Sequence, residues 1–375
     1  MEPITHFLTG ACIGRAGLNR KTAYATLAAT LAAEAADLDI LWGFAGPVQE
    51  LKHHRGITHT FLGAPFVAAA ATGAVWLFHR WWESRQKRHD LARDQEPNAP
   101  PTALAVQPVR WGWVYCTAFI AALSHILLDW TNNYGVRPFF PFNPRWYEGS
   151  FVFIAEPVLW LLLGMAIIIP WLLGLTDSEI GVRRTQFRGR GWAIFALCGM
   201  VVVWCWRWAE HAQARAMLEN TQVTSAPVTR MTIEPYPVNP FRWHAILETQ
   251  NYYQTAEIDT HTGSVDSESP RDVLYKPTNT PAVEAAKRTL LGQVYLDWGT
   301  WAVIRDIGQY PEPGADPPQL PPNRTWTTVE FSDLRFAYAF RGTGRSSGPS
   351  LLSGWVYIVD GHDEAAEGMG SRVQK

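Results

Sequence analysis

Apolar residues dominate the first 210 positions in long runs, the clearest over residues 57–78, 111–130, 151–175 and 192–208. A helix needs about 17–25 apolar residues to cross a bilayer, so each run predicts a membrane-spanning helix. Residues 22–41 form another stretch of similar length, rich in Ala and Leu, that ends with Glu34, Asp37 and Asp39. Residues 4–18 are apolar with His6 and Arg15 embedded, which is short for a span. The pattern predicts five or six helices. Past residue 210 it changes. Residues 209–220 read as an amphipathic helix. Short runs at 243–247, 252–258, 326–331, 334–340 and 355–359 then carry β-branched and aromatic residues between Gly and Pro punctuation. Residues 281–291 predict a helix with Pro281 in its first turn. The expected architecture is an α-helical membrane bundle of five to six helices over residues 1–210, followed by a water-exposed, mostly β (α+β) domain over residues 211–375.

Loop charges orient such a bundle, because Lys and Arg collect on the cytoplasmic side. Arg80, Arg85, Lys87, Arg88, Arg93 and Arg110 lie in one connection, Arg183, Arg184, Arg188 and Arg190 in another, and Arg20 with Lys21 in a third. The alternate connections carry only Lys52 with Arg55, and Arg137 with Arg145. Six helices with the N-terminus outside satisfy every loop and place residues 211–375 outside too. No signal peptide is expected, since Met1-Glu-Pro3 lacks a basic start and a cleavage site. Residues 83–110, with the Pro- and Gln-rich segment 95–101, read as a flexible linker.

Composition removes some classes. With 32 basic against 34 acidic side chains the net charge is -2, which argues against a nucleic-acid surface. The mean hydropathy of -0.10 averages two unlike halves. Cys12, Cys116, Cys198 and Cys205 sit in apolar segments without metal-site spacing, so each is expected to be a small buried hydrophobe.

Ionisable residues fall at one end of the predicted helices. His6 lies in the first; Glu34, Asp37 and Asp39 end the second; His53, His54 and His59 open the third. His125 and Asp129 end the fourth, and Glu156 starts the fifth. The loop-charge topology puts all of them at the outer level. Ionisable groups in membrane helices are costly and mark function by default. Converging carboxylates and imidazoles call for a cation, and they are donors that suit zinc, manganese or iron. His125 and Asp129, four apart, share a helix face. Asp37 and Asp39 near a helix C-terminus oppose the macrodipole and want compensation. His53 is expected to be solvated. Thr58, Ser124, Asn132 and Asn133 are candidates for orienting ligands by hydrogen bonds.

At these residues the sequence resembles a bacterial family of membrane-bound metal-dependent hydrolases, described as inner-membrane hydrolases, one branch of which is called LexA-binding. The resemblance rests on Met1-Glu-Pro-Ile-Thr-His6-Phe-Leu-Thr-Gly10, Ala36-Asp-Leu-Asp39, His54-Arg-Gly-Ile-Thr-His59-Thr60 and Ser124-His125-Ile-Leu-Leu-Asp129. Asn133-Tyr-Gly135, Pro138 and Pro141 fit its continuation, and the match spans about residues 1–175. Tyr236-Pro-Val-Asn-Pro-Phe-Arg-Trp243 looks like the start of the extra domain of longer members. The family is distantly similar to the zinc-dependent phospholipase C and nuclease group, whose His-x-x-x-Asp pair corresponds to His125 and Asp129.

Residues and resemblance together give the expectation. One or two divalent ions, zinc first, would be held by His6, Asp39, His54, His59, His125 and Asp129. Asp37 is a ligand or the general base, Glu34 a weaker candidate for catalysis, and Arg55 a fork for a substrate phosphate or carboxylate. The implied activity is hydrolysis of a lipid, lipid-linked or phosphoester substrate at the outer face of the bacterial inner membrane. The alternative is a non-catalytic membrane protein with a structural metal and an outer domain that binds a partner or wall component. A transporter is the weakest reading, since the polar residues mark no path across the bilayer.

Overall fold

The computed structural model describes residues 1–93, 107–179, 189–267, 272–312, 315–337 and 352–370. Of the expected linker 83–110, residues 83–93 are instead the end of a helix that runs Ala64–Arg93, while its segment 95–101 and the basic residues Arg183, Arg184 and Arg188 lie outside the described residues. The chain divides into two compact units. One holds Met1–Leu38 and Arg55–Trp206; the other holds Asp39–His54 and Arg207–Lys375.

The first unit is helical: α1 (Pro3–Arg15), α2 (Ala25–Ala35), α4 (Ala64–Arg93), α5 (Trp111–Thr131), α6 (Pro157–Glu179) and the first half of α7 (Arg190–Glu219). Glu2 caps α1 by accepting from the Thr5 backbone N–H, with Pro3 in the first turn, where its missing donor costs nothing. The seam between α1 and α2 is built of small residues. A Cβ on Gly10 would fall 2.7 Å from the Ala29 carbonyl oxygen, and one on Gly14 would fall 2.5 Å from the Thr26 Cα. Such close backbone approach is how helices associate where lipid removes the hydrophobic drive. Ala28, Ala29, Ala32 and Ala33 of α2 continue this seam to Ala68, Ala71 and Val75 of α4 and to Val114, Ala118 and Ala121 of α5.

Among the described residues, three helices are long and apolar enough to cross a membrane: Trp111–Thr131, Pro157–Thr176 and Arg190–Glu219. A fourth is added if the sharply bent pair Pro47–His59 and Ala64–Lys87 counts as one. The helical half is thus present, but α1 and α2, at 13 and 11 residues, are too short to cross alone. The run 22–41 divides because α2 gives way to a 3-10 helix, Ala36–Ala45. The run 57–78 breaks between a 3-10 turn, Ile57–His59, and α4. There Thr60 Oγ1 donates to the Ile57 carbonyl and accepts from the Gly63 N–H. A Cβ on Gly63 would lie 1.9 Å from the Ile57 carbonyl oxygen, so the break requires glycine. The run 192–208 and the segment 209–220 form one helix, α7. Cys12 is buried as expected, but Cys116, Cys198 and Cys205 are exposed on their helices.

The second unit is an antiparallel β domain. Strands β1 (Arg230–Pro235), β2 (Arg242–Glu248), β3 (Tyr252–Asp259), β4 (Ser264–Asp266) and β5 (Val273–Tyr275) form one sheet, in which β5 also pairs with β3. Strands β6 (Ala302–Asp306), β7 (Trp326–Asp333), β8 (Gly354–Val359) and β9 (Asp363–Met369) form a second, in sequence order. The expected strand 334–340 begins instead as a 3-10 turn, Leu334–Phe336, and residues 338–340 lie outside the described ones. The expected helix 281–291 is split into α8 (Pro281–Ala286) and α9 (Leu290–Trp298), because Thr289 leaves helical geometry to cap α9 through the Gly292 N–H. Helix α3 (Pro47–His53) packs on α9 and β9, which is why residues 39–54 group with the C-terminal half.

Candidate metal centre

Four side chains converge in the helical unit. Asp37 stands in the first turn of the 3-10 helix that follows α2. His59 ends the 3-10 turn before α4. His125 and Asp129 share one face of α5. His59, His125 and Asp129 are fully buried, and the Asp37 side chain is 18% exposed. His59 Nε2 lies 3.1 Å from Asp37 Oδ1 and 3.5 Å from Asp129 Oδ2. His125 Nε2 lies 3.2 Å from Asp129 Oδ2 and 3.5 Å from Asp37 Oδ1. One donor atom from each residue falls within 4.8 Å of the others. Two ligands about 2.0–2.1 Å from one zinc lie about 3.3 Å apart at a tetrahedral angle, and these four separations, of the six in the set, bracket that spacing.

Hydrogen bonding makes the same point chemically. His125 Nδ1 lies 2.6 Å from the Ala33 carbonyl, which only accepts, so Nδ1 carries the proton. In the neutral ring Nε2 is then a lone pair aimed at two carboxylates. His125 Nε2, Asp129 Oδ2 and Asp37 Oδ2 are buried and make no hydrogen bond. His125 Nε2 and Asp129 Oδ2 are near each other without hydrogen-bond alignment. A carbonyl fixing the far nitrogen of a histidine is the arrangement that orients metal-binding imidazoles. The donor set fits a divalent cation, and the four side chains could hold one.

The remaining oxygen of Asp129 is handled separately. Arg55 Nη2 donates to Oδ1 at 2.8 Å, the Met1 amino group contacts the same oxygen, and His6 Nε2 lies 3.4 Å from it. His6 stacks on His125 with ring centroids 3.8 Å apart. His6 therefore flanks the four-atom cluster on the far side of Asp129. Arg55, expected as a substrate fork, is buried at a left-handed φ of 53°. Its Nη1 donates to the Gly135 carbonyl at 2.6 Å, and its guanidinium lies 4.6 Å from the centroid of the Tyr134 ring. The structure commits it to Asp129 and to the chain after α5.

Asp39 and His54, also expected as ligands, belong to the other unit, where His54 Nδ1 lies 3.2 Å from Asp39 Oδ1. His53 stacks on Trp42 in the same unit. Glu34 stands one turn before Asp37 and is outside the four-residue cluster; its Oε1 is buried without a hydrogen bond. Glu156 precedes α6, its carbonyl accepting from the Leu159 N–H. Thr58 Oγ1 sits 3.1 Å from His59 Nδ1, in place to orient that ring. Asn132 Oδ1 accepts from Tyr134 N and Arg55 Nη1, whereas Ser124 Oγ donates back to its own helix at Ala121. Two participants escape a reading of side chains: the Ala33 carbonyl, which has no sequence signature, and the Met1 amino group.

The family model of the YdjM inner membrane protein matches residues 1–214, a stretch that includes every residue of the cluster. No curated protein and no solved structure matches the chain.

Proposed function

The chain belongs to the YdjM inner membrane protein family, and on that premise we propose that it is a membrane-bound metal-dependent hydrolase acting on a lipid or phosphoester at the outer face of the membrane. The observation that carries the reading is the convergence of Asp37, His59, His125 and Asp129, whose donor atoms lie within 4.8 Å of one another, with the His125 lone pair aimed at carboxylates. A divalent cation such as zinc, bound there, supplies a Lewis acid that makes water nucleophilic near neutral pH. The protein's own residues do the rest. His59 and His125 present Nε2, and the Ala33 carbonyl holds His125 in one tautomer. Asp129 offers Oδ2 while Arg55 occupies Oδ1. Asp37 is the most exposed of the four, and its Oδ2 makes no hydrogen bond; in this reading His59, His125 and Asp129 would hold the ion with one position open to water, and Asp37 beside them is the group placed to take the proton. Two carboxylates, one guanidinium and a divalent ion leave one net positive charge before the Met1 amino group on Asp129 is counted, which favours an anionic substrate.

The outer-face assignment comes from the loop charges and from the opposite end of the helices. Lys21 lies over Trp113, Arg80 over Trp76 and Arg85 over Trp81, an aromatic and basic belt of the cytoplasmic type. Full burial of three of the four ligands supports a second reading, a purely structural ion.

Elemental analysis of detergent-purified protein tests the first step. Wild type is expected to carry a stoichiometric divalent metal that His59→Ala and Asp129→Ala lose; metal-free wild type overturns the proposal. Release of a chromogenic phosphodiester tests the second. Activity that chelation abolishes, and that Asp37→Asn abolishes while metal is retained, supports the enzyme. Retained metal without turnover leaves the structural ion.

A further inference from the structure

The helical unit exposes aromatic side chains that lie outside its regular helices. Phe61 is 49% exposed, Phe139 48% and Phe142 85%. They lie in turns, not helices, and the turns are firmly built. The Phe61 N–H donates to the Pro138 carbonyl at 2.9 Å, and the Phe61 and Phe139 rings meet edge to face at 5.4 Å. Phe139 in turn meets Tyr147 at 5.6 Å. The Phe142 and Asn143 N–H groups both donate to the Phe139 carbonyl, and a bridge between Val136 and Tyr147 closes the loop beneath. These side chains are held outward by an ordered frame. A large apolar ring held in water forgoes the stabilisation of burial, so three of them fixed on an ordered frame are not neutral decoration.

Chain continuity says what covers them. Phe61 comes three residues before α4 begins, and Phe139 eight residues after α5 ends. Ala64, Ile126 and Val136 share one buried cluster, so the turns sit level with the ends of both helices. On the first turn of α4, Phe66 is also exposed, on a surface of a bundle whose other exposed faces are apolar. Around the turn stand Arg145, Trp146 and Tyr147, with Arg145 over the Tyr147 ring. Apolar rings edged by Tyr, Trp and Arg at helix ends are the composition of a membrane interface.

We infer that Phe61, Phe139 and Phe142 form an aromatic foot that inserts into the head-group and upper acyl region of the bilayer, with lipid as its partner. Phe61 is two residues from His59, so the foot fixes the depth of the cluster at the head groups. The inference needs the membrane and not the metal, and it stands or falls separately from the hydrolase reading.

Site-directed spin labelling tests it in the full chain. Phe142→Cys and, as a water-facing reference on β9, Asp363→Cys are labelled with a nitroxide in a background with the four native cysteines replaced. Nanodiscs of phosphatidylethanolamine and phosphatidylglycerol hold the protein. The label at position 142 is expected to be relaxed by oxygen far more than by a nickel chelate, and the label at 363 the reverse. Equal nickel access at both positions overturns the foot. Dipolar broadening at 142 that vanishes on dilution with unlabelled protein overturns it too, since a second copy would then be the occupant. If the cysteine-free background does not fold, a membrane-impermeant maleimide is applied with the native cysteines retained and the modified site read by mass spectrometry. Position 142 should then react about tenfold more slowly than position 363, and equal rates overturn the inference.

Discussion

The two units bury carboxylates in opposite ways. In the β domain, Asp333 is fully buried, and the chain satisfies it. Arg335 donates Nε to Oδ1 at 3.0 Å and Nη2 to Oδ2 at 2.9 Å; the Arg335 and Trp301 backbone N–H groups add further bonds. Trp298 and Phe336 cover the guanidinium. In the helical unit, Asp129 is equally buried, yet Oδ2 makes no hydrogen bond and neither does the His125 Nε2 facing it. A saturated ion pair is architecture. An unsaturated group of acids and imidazoles is a deficit that a cation could fill, because buried polar groups without partners are costly. The packing differs in the same sense. The helical seam is built from Gly and Ala, while the β domain buries Trp243, Trp298, Tyr295, Tyr357 and Phe331.

Paired substitutions break that comparison most sharply. Asp333→Asn should cost about 3–5 kcal/mol, measured by denaturant unfolding, without changing metal content. Asp129→Asn should abolish stoichiometric metal; if both variants behave alike, the distinction fails. Arg55 comes next. Arg55→Gln should weaken metal binding about 10–100-fold in a competition titration with a chelator, and Arg55→Lys should restore part of it. An unchanged affinity would show that the guanidinium does not set how Asp129 presents Oδ2. Gly10→Ala should then destabilise the helical unit by about 1–3 kcal/mol through the clash with the Ala29 carbonyl, seen as a lower thermal midpoint in detergent.

The smallest effect is at the β domain surface. The Thr325 backbone N–H, at 2.8 Å, and the Arg324 guanidinium, at 2.7 Å, hold the Asp360 carboxyl below its usual range. A depressed carboxylate stabilises the fold above its unfolded pKa of about 3.9, and that stabilisation is lost as pH falls through the lower folded value. Asp360→Asn should therefore be slightly less stable than wild type at pH 7, and the gap should close as pH drops below about 4. A gap that is constant in pH would exclude the carboxylate as its source.

Much of this was legible in the residues. The His125-x-x-x-Asp129 spacing put two members of the cluster on one helix face, and His59 with Asp37 followed from ionisable groups bordering apolar runs. The His54-to-His59 block read as one unit but divides. His54 pairs with Asp39 in one compact unit, while His59 joins the cluster in the other. Hydropathy could not show this, because a run such as 57–78 looks equally apolar whether it is one helix or a turn and a helix.

Sequence alone determined the division into an apolar helical half and a strand-rich half, and the concentration of imidazoles and carboxylates at one end of the helices. Both are written in local patterns of transfer free energy, which each segment carries with it. Tertiary structure decided which of those groups meet, that Arg55 serves Asp129, and that the Ala33 carbonyl fixes the His125 tautomer. Those outcomes depend on how closely glycine and alanine let four helices approach, a property of the packed assembly that no single segment contains.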